Sequence, residues 1–88
     1  MALILTMREG FTVSIGGDRY EVQEVHTAFT FTVVREADGK RFHVNDSKWV
    51  WIDEGVSLKA GIPLKDNGSL VRLMIRAPQE VLIVRGYN

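Results

Sequence analysis

The sequence predicts an all-β domain of short antiparallel strands, and three observations carry that expectation. Apolar and polar residues alternate with period two in several runs, Gly- and Asn-bearing turn signals separate the runs, and no stretch shows the periodicity of a long amphipathic helix. The 88 residues make one domain, 1–88. A chain this short buries a modest share of its surface, so a homodimer is expected to complete the core.

Taken in order, Leu3-Ile4-Leu5-Thr6 is a short apolar strand. Phe11 to Ile15 alternates, with Phe11, Val13 and Ile15 on one face, and Gly16-Gly17-Asp18 turns the chain. Tyr20 to Val25 alternates again, burying Tyr20 and Val22 and, after an irregularity, Val25. Phe29 to Val33 follows. Asp38-Gly39 then reads as a two-residue hairpin loop of type I′, whose two central positions both need positive φ, and Arg41-Phe42-His43-Val44 returns. After a turn at Asn45-Asp46-Ser47, Lys48 to Ile52 is apolar on both faces, and Asp53-Glu54-Gly55 leads into Val56-Ser57-Leu58. Asn67-Gly68 is a second hairpin signal before the strand Leu70 to Arg76. Pro78 lies just past that strand, where its missing donor does no harm.

Eleven Lys and Arg balance eleven Asp and Glu, so the chain as a whole carries no electrostatic footprint for nucleic acid or an anionic membrane, and any anion site must be a local patch. From residue 59 onward five cations meet two acids, a net of +3, and the remaining segment is correspondingly acidic. The absence of cysteine excludes disulfides, thiolate metal sites and a cysteine nucleophile, which fits a reducing, cytoplasmic setting. No apolar run approaches the ~20 residues of a membrane span, and the apolar start lacks a basic n-region and cleavage site. His26 and His43 lie in different segments with no carboxylate cluster at ligand spacing, the serines lack a Gly-x-Ser-x-Gly context, and Gly16-Gly17 opens no helix. No enzyme chemistry and no cofactor are expected.

The two ends together resemble the carbon storage regulator (CsrA/RsmA) family of small RNA-binding translational repressors. The resemblance rests on Leu3-Ile4-Leu5-Thr6 followed by Arg8 and Gly10, and on Val71 to Arg76 joined through Ala77-Pro78-Gln79-Glu80-Val81 to Leu82-Ile83-Val84-Arg85. It covers residues 1–25 and 65–85, the second piece anchored by matching Lys65-Asp66-Asn67-Gly68 to the family's turn, and residues 26–64 form an insertion that begins with its own β-hairpin. The resemblance implies a CsrA-like β-barrel or sandwich in an interlocked homodimer, with first and last strands of opposite subunits side by side. It also implies binding of messenger or small regulatory RNA at GGA-containing loops, with translation repressed. The implied RNA-binding residues are Leu5, Thr6, Arg8, Ala77, Pro78, Val81, Ile83, Val84 and Arg85. The chain departs from the family at Met7 and Val84, where basic residues are usual, and in ending without a C-terminal helix. Restoring the first of these with Met7→Arg is expected to strengthen the same strand edge.

Plain structural roles stand beside these. Arg85 can be a solvated strand end, Arg72 and Arg76 read as a solvent-facing ladder, and Leu5, Val81 and Ile83 are core residues first. The aromatics Phe29, Phe31, Phe42, Trp49 and Trp51 concentrate in the insertion, with Phe29 and Phe31, and Trp49 and Trp51, on shared faces. They are read first as a small core that docks the insertion, for which Trp51→Ala costs about 3–5 kcal/mol. The other reading is a stacking platform for bases, or a face through which a protein-interaction module binds or titrates a protein partner.

Overall fold

The computed structural model describes residues 2–63 and 70–86. These form β1 (Ala2–Arg8), β2 (Thr12–Ile15), β3 (Asp18–Thr27), β4 (Thr30–Arg35), β5 (Arg41–Asn45), β6 (Val50–Asp53), β7 (Val56–Ala60), β8 (Leu70–Arg76) and β9 (Ile83–Arg85). One sheet has the order β1-β8-β7-β6 and the other β5-β4-β3-β2-β9, with antiparallel pairing throughout. The all-β expectation holds, with no helix among the described residues. The sheets make an open sandwich and do not close into a barrel.

The period-two pattern decides which side chains meet between the sheets. In the four-stranded sheet Met7, Leu58, Ala60, Val71, Leu73 and Ile75 point inward and are buried. Val13, Ile15, Tyr20, Val22, Phe31, Val33, Phe42 and Val44 face them from the other sheet. Each fully buried Leu or Ile contributes about 1.5–3 kcal/mol of transfer free energy. The irregularity expected in β3 is a register shift between Val22 and Glu24, which turns Val25 back toward the core. Thr32 and Val34 are also buried although they lie on the outer face of β4. Val34 sits between Glu21 and Arg41, and Arg41 reaches across to Glu24, so the stems of long polar side chains cover it.

Turn chemistry follows the sequence signals, with one correction. Gly16 and Gly17, at φ 61° and 92°, form the two-residue loop between Ile15 and Asp18. The Asp38-Gly39 loop is longer than expected. Arg35 N–H donates to Lys40 O and Gly39 N–H to Arg35 O, so residues 36–39 form a four-residue loop with Gly39 at φ 71°. Asp38 accepts from the Lys40 N–H at 3.1 Å and from Arg35 at 3.1 Å, and these bonds favour the longer loop. The Asn67-Gly68 signal and the Lys65 to Gly68 match lie outside the described residues.

The chain changes sheets at three places: Arg8 to Phe11, closed by a 2.9 Å bond across Gly10 at φ 93°; Asn45 to Lys48, where Asn45 Oδ1 accepts from two backbone N–H groups; and Pro78 to Val81, closed at 3.1 Å. The expected picture of one appended hairpin is corrected as well. Residues 26–64 supply β4, β5, β6 and β7, so the insertion completes both sheets and places Phe31, Phe42, Ile52 and Leu58 in the shared core. Those core residues are buried within the single chain. The aromatics divide: Phe31 and Phe42 are core, whereas Phe29 and Trp51 are exposed, Trp51 by 63%. The core reading of Trp51 is thereby overturned.

Candidate nucleic-acid interface

The two terminal strands are edge strands of different sheets on the same side of the sandwich. β9 pairs with β2 so that Arg85 lies opposite inward-facing Val13, and this parity sends the Arg85 side chain across the opening between the sheets. Its guanidinium donates to the backbone carbonyl of Thr6 on β1 at 3.2 Å. Residues 79 positions apart are thereby joined at a seam, one wall of which is the β1 edge that no described strand pairs. Arg8 ends β1, exposed, with its guanidinium 5.6 Å from the Phe11 ring centroid.

The remaining sequence-derived site residues spread more widely. Leu5, Val81 and Ile83 are half-buried against the core, and Val84 is exposed on the outer face of β9. Ala77 is buried, and Pro78 lies against the β6–β7 turn, where a side chain on Gly55 would meet its ring at 3.4 Å. Both follow Arg76, which pairs with Ala2, so they sit at the opposite end of β1 from Thr6, a separation of about 13 Å. The structure therefore gathers Thr6, Arg8 and Arg85 and leaves Ala77 and Pro78 apart. Met7 is fully buried, because strand parity turns it inward between exposed Arg8 and half-buried Thr6. Met7→Arg would put a cation into the core, which corrects the expectation that it strengthens the edge.

A second surface was not legible residue by residue. Pairing register aligns Trp51, Ser57, Arg76 and Ala2 across the outer face of the four-stranded sheet, with Lys59, Met74 and Ile4 in the next row and Arg72 and Thr6 beyond. Arg76 lies 4.1 Å above the Trp49 ring centroid, and the Lys59 ammonium 5.7 Å from it. Beneath this layer Ser57 is fully buried, its Oγ and the Arg72 Nε without hydrogen-bond partners among the described residues. The i, i+2 spacing of the two tryptophans was a usable signal. The alignment of Lys59, Arg72 and Arg76 needed the register, which neither run encodes alone.

The ion pairs among the described residues lie on one sheet. Arg19 pairs with Glu36, Arg35 with Asp38 and Arg41 with Glu24, all on the five-stranded sheet and its turns. Among the described residues no acid pairs with Arg8, Lys59, Arg72 or Arg76. Arg35 also donates to the Tyr20 hydroxyl at 3.3 Å and to the Ile52 carbonyl, tying the sheets together. The Tyr20 bond, aided by Asp38 and opposed by desolvation, holds its guanidinium above the ordinary pKa. The Lys40 backbone N–H, then the Arg35 guanidinium, hold the Asp38 carboxyl below the ordinary carboxylate value, against slight desolvation. His26 is exposed, and His43 Nδ1 lies 3.4 Å from the Thr32 hydroxyl. No group of three or more acids or histidines among the described residues could hold a metal ion. Compared with protein-family models, with curated proteins and with solved structures, the chain has no match.

Proposed function

We propose that this protein is a non-catalytic RNA-binding regulator that takes GGA-containing loops of messenger leaders at the seam between β1 and β9 and represses translation by covering the ribosome-binding site. The observation that carries this reading is the approach of Arg85 to the Thr6 carbonyl, which puts a strand-end cation beside a strand edge that no described strand pairs. Unstacked loop bases offer their Watson–Crick edges to such backbone N–H and C=O groups, while a guanidinium adds charge-assisted contacts to phosphate or base. Arg8, at the end of the same strand, supplies a second cation.

The CsrA-like interlocked dimer belongs to the same proposal. The β1–β8 and β2–β9 ladders close within one chain, and exchange of the terminal strands between two chains would make the same ladders in trans and present two seams. Fluorescence anisotropy with a GGA-loop hairpin, and with the same hairpin carrying a changed loop, tests the function. Arg85→Ala is expected to weaken binding by about 1.5–3 kcal/mol, and the salt slope is expected to fall by roughly 0.7 if the contact is to a single-strand phosphate. Equal affinity for both loops, or no effect of Arg85→Ala, sinks the reading. Sedimentation over a range of concentrations decides the dimer.

A further inference from the structure

Apart from Arg8, which it shares with the seam, the outer face of the four-stranded sheet combines features that the seam does not use. Trp51 presents an exposed indole at one edge of it. Arg76, Lys59, Arg72 and Arg8 occupy successive rows, each two residues further along the strands, so the cations span about 20 Å from the Trp51 row to the end of β1. None has an acidic partner among the described residues, although the chain as a whole is neutral. Trp49 is held under Arg76, which leaves Trp51 as the ring available to a ligand. An exposed aromatic at one end of a row of cations that no described acid pairs matches a polyanion that carries flat apolar groups at intervals, which is the chemistry of a nucleic-acid single strand.

We infer that this face binds the single-stranded RNA that continues from the seam, with a base stacked on Trp51 and the phosphates held along Arg76, Lys59, Arg72 and Arg8. The inference rests on the RNA-binding reading above. It assigns a separate surface and a separate specificity, because stacking and phosphate contacts accept any base. Arg8 and Thr6 end the row beside Arg85, so one strand can pass from the seam onto the face.

The two tryptophans are the only ones in the chain and both lie on this face, so intrinsic fluorescence reports its occupancy directly. The probe is an unstructured 12-nucleotide oligouridylate without GGA, titrated into the full chain at low salt. Saturable quenching is expected, with a log–log salt slope near −2.8 if four phosphates are neutralised, each at roughly 0.7. Trp51→Ala should weaken binding roughly 5- to 150-fold, as loss of one base–aromatic stack does. Lys59→Ala should lower the slope by roughly 0.7. Lys40→Ala, on the β4–β5 turn of the other sheet, should leave binding unchanged. The oligodeoxyuridylate of the same length tests whether the 2′-hydroxyl contributes.

Equal binding of a duplex of the same length, unmoved by Trp51→Ala, would reduce the face to plain electrostatics and overturn the inference. Quenching by anionic phospholipid vesicles and not by the oligonucleotide would overturn it too. If oligouridylate fails to bind while the GGA hairpin still binds in an Arg85-dependent way, this face is wrong and the seam stands. If neither RNA binds, both are wrong.

Discussion

Met7→Arg separates two registers of the first strand, and the structure sets the size of its effect. Met7 is fully buried, packed in the core and paired in register with Val71, itself fully buried. Removing the Met7 side chain, as in Met7→Ala, should cost about 2–5 kcal/mol. Arginine would in addition put an unpaired charge into that site, at several kcal/mol after relaxation. Native domains are stable by roughly 0.05–0.15 kcal/mol per residue, or about 4–13 kcal/mol for 88 residues, so Met7→Arg should be largely unfolded at room temperature. Met7→Leu, which nearly conserves volume, should lose less than about 1.5 kcal/mol. Urea denaturation followed by far-UV circular dichroism measures all three. If Met7→Arg folds with the wild-type midpoint and binds RNA more tightly, Met7 faces solvent. A one-residue slip then exchanges the faces of β1, and the inward positions of Leu3 and Leu5 fall with it.

Strand existence and facing were largely legible, because period two and a buried face specify each other. Phe11, Val13, Ile15, Tyr20 and Val22 turn inward as the alternation requires, and even the irregularity before Val25 was readable. Failures came where partners outside the local run decide. Phe29 shares the alternation of Phe31 but falls in the turn before β4, so it is exposed. Trp51 and Ile52 occupy opposite faces of an edge strand, and only the second sheet above Ile52 determines which is covered. The approach of Arg85 to Thr6 depends on β2 and β3 carrying the chain away from β1 and on β9 returning beside β2. No local pattern encodes that closure. Met7 shows the same limit from the other side, since a residue-by-residue match treats it as the counterpart of a basic position and strand parity makes it core.

Net neutrality was expected to weigh against nucleic acid, and the fold changes what that number means. Three of the acids are engaged by Arg19, Arg35 and Arg41 on the five-stranded sheet, where the pairs are partly or largely solvated and contribute about 0–1 kcal/mol each. Each pair also takes up one cation, so eight cations and eight acids remain, and what marks the outer face is that no acid among the described residues lies within ion-pair distance of Arg8, Lys59, Arg72 or Arg76, although Asp46 lines the same hollow as Lys59. Screening lengths near 8–10 Å at physiological salt are short compared with the 34 Å long axis of the molecule, so a local patch acts on its own charge.

Four further expectations follow from particular contacts. Trp51→Ala should change stability by no more than about 0.5 kcal/mol in thermal denaturation, whereas Phe31→Ala should lose about 3–5 kcal/mol. A Cβ on Gly86 would lie 2.0 Å from the Thr12 hydroxyl and 3.1 Å from the Thr12 carbonyl oxygen, so Gly86→Ala should loosen the β2–β9 pairing and cost about 1–3 kcal/mol, read as a lower urea midpoint. Because the folded state holds the Asp38 carboxyl below its ordinary pKa, its contribution to stability is fully present above that ordinary value and lost as pH falls through the folded one; Asp38→Asn should therefore lower the melting temperature at neutral pH, and the gap should close on acidification. The last expectation concerns Arg76, whose guanidinium lies 4.1 Å above the Trp49 ring and covers one of its faces, while Trp51 stays 63% exposed. Acrylamide should accordingly quench two populations, one readily and one poorly, and Trp51→Phe should leave only the shielded one. Arg76→Ala should uncover Trp49 and raise its quenching constant, at a stability cost near the 0.5–1 kcal/mol of an exposed cation–π pair. A single, equally quenched population in wild type, unchanged by Arg76→Ala, would mean that Trp49 is not held under Arg76 and that the outer face is arranged differently.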